Sequence, residues 1–161
     1  MEHTLYACEL PYPEVEAAPC LADAKLLMPD YGGPQGELTA VTTYCFQHYI
    51  TSASRPELAE ALAGIAKVEM RHHALLGETV FKLGGYPVMG GRTYWNGSFA
   101  DYTLSPEKFL ARDIHAEEAA ILAYERTVLA LRTESVKLLI ERIILDEELH
   151  IKLLRDLIAS L

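Results

Sequence analysis

The sequence lacks the paired cysteines that build a disulfide framework or a cysteine-bound metal module. Its three cysteines, Cys8, Cys20 and Cys45, stand apart and form no CxxC pair. Isolated cysteines in odd number are typical of a reducing compartment, so we expect a cytoplasmic protein. No run of about 18 apolar residues is present, and the first residues lack the basic and apolar regions of a signal peptide, so we expect no membrane association.

Positive charge is also scarce. The 161 residues include 14 lysines and arginines against 23 aspartates and glutamates, which gives a formal net charge of −9. An acidic surface repels phosphate backbones, so nucleic-acid binding is not expected. Hydrophobic residues make up 50% of the chain, which is enough for one globular domain with its own core.

The chain divides into an N-terminal arm and four predicted helices. Residues 1–34 are rich in proline and form an extended arm, with one short helix possible around 20–28. Helical periodicity then predicts helices over about 35–52, 54–83, 106–132 and 133–161. Short turns join the first pair and the last pair, while residues 84–104 can travel the length of the molecule. This pattern predicts an all-α antiparallel four-helix bundle over residues 35–161, formed as a single domain with one long crossover.

Polar residues interrupt the apolar seams of all four helices. The second predicted helix carries Glu69 and His72 on its buried face, and the fourth carries Glu147 and His150 in the same Glu-x-x-His spacing. The first and third predicted helices each carry one seam glutamate, followed seven residues later by a tyrosine. The sequences ELTAVTTY (37–44) and EEAAILAY (117–124) therefore form an internal repeat, as do EMRH (69–72) and EELH (147–150).

The glutamates of each helix pair lie equally far from their turn, roughly 23 Å at about 1.5 Å per residue, so all six polar groups can meet in one layer. Four buried carboxylates repel one another and are costly to desolvate, whereas two divalent cations balance their charge. Mixed oxygen and nitrogen ligands favour iron or manganese. The alternative, solvated glutamates and ordinary core histidines, is disfavoured because the motif occurs twice. We predict two Fe or two Mn ions, bound by Glu37, Glu69, His72, Glu117, Glu147 and His150.

This ligand pattern resembles the ferritin-like di-metal carboxylate proteins. The resemblance covers residues 35–161 and implies that the same six residues are the metal ligands. The segments YGGPQGELTA and DIHAEEAAILAY are similar to those of the manganese catalases and their spore-coat relatives. In that branch, the glutamate that corresponds to Glu147 can act as a base rather than a firm ligand. Those proteins usually carry more residues between the second and third helices and beyond the fourth.

Other branches of the superfamily resemble the sequence less. Rubrerythrins carry a further glutamate where this chain has Ala120, and often a CxxC-bearing domain that it lacks. Bacterioferritins have a similar Glu-Met-x-His motif whose methionine can hold haem, but Met70 lies off the predicted seam, so haem is not expected. Cage ferritins use a fifth helix after the fourth, so a storage cage is not expected either.

Several residues are predicted to surround the ligands. Tyr44 and Tyr124 should donate hydrogen bonds to ligand glutamates. By the resemblance, Asp146 orients His72, whereas Val68 at the matching position leaves His150 without such a partner. His48 is predicted to be a satisfied interior histidine, and His73 and His115 to be solvated.

The end of the layer near Glu37 needs a cover. We expect it from the arm or from the crossover aromatics, within the chain or on a neighbouring subunit of a homodimer or larger homo-oligomer. These crossover aromatics are Tyr94, Trp95, Phe99 and Tyr102.

The expected function is that of a di-iron or di-manganese oxidoreductase. Its substrate would be hydrogen peroxide or dioxygen, in a catalase-like or peroxidase-like reaction. Two alternatives remain open. One is a ferroxidase or iron-handling protein whose substrate is ferrous ion, and the other is a metal-stabilised coat or scaffold protein, for instance in a spore coat.

Overall fold

The computed structural model describes residues 6–90 and 93–161, so the predicted arm is seen from residue 6 onward. Five α-helices follow one another: α1 (Leu21–Gly32), α2 (Glu37–Thr51), α3 (Pro56–Lys82), α4 (Pro106–Ala130) and α5 (Glu134–Ala159). A single 3₁₀ turn, Gly97–Phe99, lies in the crossover. The predicted all-α fold is confirmed, with no β-strand in the described ranges. Within the same ranges, no helix has the length and apolar character needed to cross a membrane.

The short helix predicted in the arm runs four residues further than expected, through Pro29 to Gly32. It ends in a sharp bend built on glycine. A side chain on Gly33 would lie 2.6 Å from the carbonyl oxygen of Pro29, and one on Gly36 would lie 2.5 Å from that of Asp30. Such contacts are shorter than van der Waals distance, so the bend requires glycine at both positions. The bend makes Glu37 the first residue of α2 and so fixes where that side chain enters the bundle.

Helix α1 also organises the turn between α4 and α5. The fully buried carboxylate of Asp23 accepts hydrogen bonds from the backbone N–H of Thr133 at 2.8 Å and from its hydroxyl at 2.6 Å. Although burial opposes ionisation of Asp23, these hydrogen bonds lower its pKa. A carboxylate at the first turn of a helix also complements the helix dipole. The N-cap residue of α5, Thr133, is thus held by a side chain of α1, more than a hundred positions earlier in the chain.

Two apolar clusters lie at opposite ends of the bundle. One joins α1, the end of α3 and the start of α5, through residues such as Leu27, Leu76 and Ile140. The other joins the α2–α3 turn region to the start of α4 and the end of α5, through residues such as Leu62 and Phe109. Because the α2–α3 turn and the α4–α5 turn belong to different ends, α2 and α4 run antiparallel. The polar layer lies between these two clusters.

Candidate metal centre

All six predicted ligands meet in the middle of the bundle. None of them is more than 4% exposed. Their ligand atoms form two overlapping groups, each with all atoms within 4.8 Å of one another. We call Glu37 and His72 the first half-site, and Glu117 and His150 the second half-site. Glu69 and Glu147 belong to both groups and therefore lie between the half-sites.

The two histidines point the same ring atom at the carboxylates. In the first half-site, His72 Nδ1 lies 3.3 Å from Glu69 Oε2 and 3.4 Å from Glu147 Oε1. In the second half-site, His150 Nδ1 lies 2.8 Å from Glu69 Oε1 and 3.1 Å from Glu147 Oε2. The terminal glutamates are slightly further away, with Glu37 Oε1 3.6 Å from His72 Nδ1. The arrangement is thus close to symmetric about the two shared glutamates.

Tyr44 and Tyr124 both hydrogen-bond to glutamates of the layer, but in a crossed arrangement. The hydroxyl of Tyr44 donates to Glu117 Oε1, and that of Tyr124 donates to Glu37 Oε1. Both tyrosines are buried, and burial raises the pKa of each, so both remain protonated donors. Each terminal glutamate is therefore held by a tyrosine from the opposite helix pair.

In the first half-site, the outer nitrogen of the histidine meets a carboxylate. His72 Nε2 lies 2.9 Å from Asp146 Oδ2, which is the contact expected for Asp146. Burial opposes ionisation of Asp146, yet hydrogen bonds from His72, Tyr12 and the Cys8 backbone lower its pKa to about 2. Because an ionised carboxylate only accepts hydrogen bonds, Nε2 of His72 carries a proton, and Nδ1 is the ring atom directed at the layer.

Arg142 and the arm hold Asp146 in place. The Arg142 guanidinium lies 2.8 Å from Asp146 Oδ1 and donates to the backbone carbonyls of Leu10 and Cys8. The hydroxyl of Tyr12 donates to Asp146 Oδ2 at 2.5 Å, and the Tyr12 ring lies 4.3 Å from the Arg142 guanidinium carbon. Residues 6–12 therefore line the α3–α5 side of the layer within the same chain.

In the second half-site, the outer nitrogen of the histidine meets the main chain of the arm. Val68 occupies the position that matches Asp146, as expected, but His150 does not lack a partner: its Nε2 lies 2.9 Å from the carbonyl oxygen of Tyr6. A carbonyl oxygen can only accept, so His150 Nε2 carries a proton and Nδ1 is the ring atom that faces the carboxylates. The ring of Tyr6 packs on Gly64, where an added side chain would meet it at 2.2 Å.

Without a cation, the electrostatics of the layer are unfavourable. Burial, reinforced by the charges of Glu69 and Glu147, raises the pKa of Glu117 to about 8. Burial and the charge of Glu69 likewise raise the pKa of Glu37. Burial also disfavours a charged His72, but the surrounding Glu147 and Glu37 outweigh it and raise the pKa of that histidine. The layer thus favours additional positive charge.

Iron or manganese fits this donor set. With a proton held on each Nε2, each Nδ1 is directed at carboxylate oxygens, where a metal ion can replace the proton that the raised histidine pKa values favour in the metal-free layer. Three buried atoms of the layer, Glu69 Oε1, Glu147 Oε2 and His150 Nδ1, have no hydrogen-bond partner in the described residues. Unsatisfied buried groups of this kind cost about 1–3 kcal/mol each, and metal coordination removes that cost.

A cavity leads to the layer between α2 and α4. Its volume is about 390 Å³, and four of the six predicted ligands reach it: Glu37, Glu69, Glu117 and Glu147. Small side chains, including Ala116, Ala120 and Ala123, leave the space open along α4. The arm covers the opposite side, so the layer is accessible from the α2–α4 side.

The crossover contributes to the rim of this cavity. Phe99 lines it together with Pro34–Gly36, close to Glu37. Trp95 donates from its indole nitrogen to the hydroxyl of Thr39 at 2.9 Å, which fastens the crossover to α2. Tyr102 packs edge-on against Phe46, whereas Tyr94 is exposed. The cover near Glu37 therefore comes from the crossover and the α1–α2 bend, while the extended part of the arm lies on the other side.

The remaining candidate residues lie outside the layer. His48 is half-buried and lies 2.7 Å from the carbonyl oxygen of Ala59, in line with the interior role predicted for it. His115 is 81% exposed beside Glu118, as predicted. His73 was predicted to be solvated but stacks on Tyr31 and is only partly exposed, because α1 covers that face of α3. Met70 is 48% exposed on the outside of the bundle.

Sequence comparison assigns the family. The model of the rubrerythrin family matches residues 34–158, which include all six predicted ligands. The chain belongs to the rubrerythrin family. It does so although Ala120, which lines the cavity, stands where a further glutamate was expected for that family. A search of curated protein sequences gives no significant match.

Solved structures agree on the fold. A manganese catalase from Anabaena PCC7120 superposes with a TM-score of 0.81 at 20% identity, covering 95% of this chain and 78% of its own. The bacterioferritin of Desulfovibrio desulfuricans, whose structure describes a di-iron site, gives a TM-score of 0.72 at 26% identity, covering 89% and 84%. A dodecameric thioferritin from Bacteroides fragilis gives 0.66 at 18% identity, covering 87% and 84%. The ferritin-like fold is therefore confirmed.

Proposed function

We propose that this protein is a di-metal oxidoreductase that acts on hydrogen peroxide or dioxygen, in a catalase-like or peroxidase-like reaction. The observation that carries the proposal is the pair of four-residue groups that share Glu69 and Glu147. Glu69 and Glu147 would contribute to both ion sites, and each half-site would add one glutamate and one histidine. Two Fe or two Mn ions bound there would supply the redox chemistry, since both metals accept mixed oxygen and nitrogen ligands.

The chain's own residues prepare the site for these ions. The proton on Nε2 of each histidine, held by Asp146 or by the Tyr6 carbonyl, leaves Nδ1 free to coordinate. The crossed tyrosines orient the terminal glutamates and shield them from other donors. The arm lies against the α3–α5 side, so we propose that a small substrate reaches the layer through the cavity between α2 and α4.

Glu147 has a second role in this proposal. It lines the cavity, and its Oε2 has no hydrogen-bond partner in the described residues. A carboxylate in that position can accept a proton from a substrate such as hydrogen peroxide. A Glu147→Gln variant separates the roles: full metal content with lost turnover indicates a base, and lost metal content indicates a ligand.

Oxidation of ferrous ion is the second candidate, and the cavity favours it. Asp30, Asp101 and Asp113 line the cavity in addition to the four glutamates, and the arginine that lines it, Arg112, is paired with Asp101 at 3.0 Å. A negative channel attracts cations. The 26% identity with a bacterioferritin also supports oxidation of ferrous ion as the second candidate function.

We also propose a homo-oligomer in the cytoplasm. Several large apolar side chains stand on the outer surface, such as Leu129, which is 87% exposed, and Leu104, which is 73% exposed. The relative from Bacteroides fragilis is dodecameric. Light scattering coupled to gel filtration measures the mass of the assembly, and a monomer would contradict this part of the proposal.

The test begins with metal content. Protein purified without chelators, from cells supplied with iron and manganese, should contain about two ions per chain by elemental mass spectrometry. Peroxide consumption and oxygen release are then measured beside ferrous-ion oxidation. The double variant Glu69→Ala/His72→Ala should lose the metal and both activities, while His115→Ala, a histidine variant outside the layer, should keep them.

The outcomes separate the candidate functions. Peroxide turnover with bound metal supports the catalase-like or peroxidase-like reaction, and faster oxidation of ferrous ion supports the ferroxidase. Inert metal whose removal unfolds the protein identifies a metal-stabilised scaffold and contradicts the enzymatic proposal. Wild-type metal content in the double variant would show that the six-ligand assignment is wrong.

A further inference from the structure

One buried carboxyl group of the cavity has no role in the metal layer. Asp113 on α4 is 4% exposed and lies in the cavity wall. Its Oδ1 accepts a hydrogen bond from Gln47 Nε2 of α2 at 2.9 Å. Its Oδ2 is buried and has no hydrogen-bond partner in the described residues.

No neighbouring group in the described residues donates a hydrogen bond to Asp113 Oδ2. The bond from Gln47 Nε2 fixes the orientation of the amide, and its Oε1 is a second buried acceptor without a donor in the described residues. Burial raises the pKa of Asp113 to about 7, although the bond from Gln47 opposes that rise. A buried carboxylate in this situation takes up either a proton or a cation.

Asp113 lies one helical turn before the predicted ligand Glu117 on the same face of α4. Four residues correspond to about 6 Å of rise along the helix. Towards the outside, the Asp101–Arg112 ion pair forms the next part of the cavity wall. Asp113 is therefore an intermediate carboxylate between the rim of the cavity and the layer.

We propose that Asp113 is a transfer site, at which a ferrous or manganous ion entering through the cavity is held before it passes to Glu117. The proposal rests on the proposed function, because it requires metal binding in the layer. Oxygen donors suit such hard divalent ions. A single carboxylate, with water completing the coordination, binds weakly enough to release the ion to the layer, whose four carboxylates bind it far more strongly.

The test measures how fast metal-free protein takes up Mn²⁺. Uptake is followed by stopped-flow competition with a metal-sensitive dye, and the final content by elemental mass spectrometry. Asp113→Asn keeps the side-chain shape and an acceptor for Gln47 but removes the charge, and it should slow uptake on the order of tenfold. The final content should equal that of the wild type, and Asp113→Glu should restore most of the rate.

Glu118→Gln is the matched control. Glu118 lies on the same helix but outside the cavity, in an exposed contact with Arg155, so its variant carries the same change in net charge. It should load at the wild-type rate.

The outcomes are distinguishable from failure of the proposed function. If the wild type takes up no Mn²⁺ and no Fe²⁺, the proposed function is wrong, and the transfer-site proposal, which depends on it, is wrong as well. If the wild type loads but Asp113→Asn loads equally fast, only the transfer site is wrong. If Asp113→Asn ends with less metal than the wild type, Asp113 supports the layer itself, and that result also overturns the transfer site.

Discussion

The two half-sites have the same kinds of predicted ligand, but different groups contact the outer nitrogens of their histidines. His72 in the first half-site is held by Asp146, a carboxylate paired with Arg142. His150 in the second half-site is held by the Tyr6 carbonyl, a neutral main-chain group from the arm. The two copies of the internal repeat therefore share their predicted ligands but differ in the groups behind them.

This difference predicts two unlike metal positions. A carboxylate behind an imidazole makes the inward nitrogen a stronger donor than a neutral carbonyl does. We therefore expect the ion of the first half-site to bind more tightly and to favour a higher oxidation state. The second ion depends on whether the arm is docked.

The largest effect is expected from Asp146→Asn, which removes the charge behind the first half-site. The variant leaves the buried Arg142 without its counter-charge, which should cost about 3 kcal/mol of unfolding free energy. It should also lower the affinity for one of the two ions by about 10- to 100-fold. Denaturant unfolding and metal titration by calorimetry measure both quantities.

The control for this variant is Asp156→Asn, an exposed position on the same helix. It should leave stability and both affinities unchanged. Equal weakening of the two ions in Asp146→Asn would contradict the distinction between the half-sites.

A smaller effect is expected from Gly64→Ala, which acts on the second half-site through the arm. In the middle of a helix this change normally stabilises by about 1 kcal/mol. Here the new methyl group would collide with the Tyr6 ring at 2.2 Å, so the ring must move and the carbonyl that holds His150 moves with it. We expect no gain in stability, a several-fold weaker second ion, and faster proteolysis of the arm.

The double variant Tyr6→Ala/Gly64→Ala tests the cause of that effect. It removes the ring but keeps the main-chain carbonyl, so the affinity for the second ion should recover. If the single variant is stabilised and binds both ions normally, the arm does not position His150.

The smallest expected effect is a difference in the pH dependence of stability between two aspartates on the cavity side, Asp113 near the second half-site and Asp30 near the first. Burial raises the pKa of Asp113 to about 7 and that of Asp30 to about 6. For an acid with a raised pKa in the folded state, stability is full below the unfolded pKa of about 4 and is lost as the pH rises through the folded value. In metal-free protein, each aspartate should therefore lower stability between pH 4 and 8.

Replacement by asparagine should flatten this pH dependence, and more so for Asp113. The difference between Asp113→Asn and Asp30→Asn at pH 8 should be about 1 kcal/mol, since one pKa unit corresponds to about 1.4 kcal/mol. Asp101, Arg112 and Tyr44 face Asp113 and remain unchanged in both variants. Unfolding by urea at pH 5 and pH 8 measures the difference, and equal slopes for the two variants would contradict it.

The meeting of the six polar residues in one layer could be predicted because they stand at regular intervals on amphipathic helices. Glu-x-x-His on two seams, and one glutamate on each of two others, leave few ways to pack the chain. The tyrosines show the limit of that argument. Tyr44 lies about 10.5 Å along the helix from Glu37, too far to reach it. Only the antiparallel placement of α2 and α4 in space brings it to Glu117.

Other parts of the site leave no pattern in the sequence. The partner of His150 is a main-chain carbonyl, which any residue at position 6 would provide. Gln47 and Asp113 meet across a cavity that depends on the distance between α2 and α4. The ion pair between Arg142 and Asp146 could have been predicted from the sequence, because residues four apart face each other on a helix.

The contact between Tyr6 and His150 joins positions that are 144 residues apart. Since a ribosome makes the chain from its N-terminus, the arm emerges well before its docking surface on α5. The arm therefore cannot make this contact until α5 has been synthesised. The second half-site can consequently be completed only after α5 has been made, and the proposed binding of metal there would depend on that step.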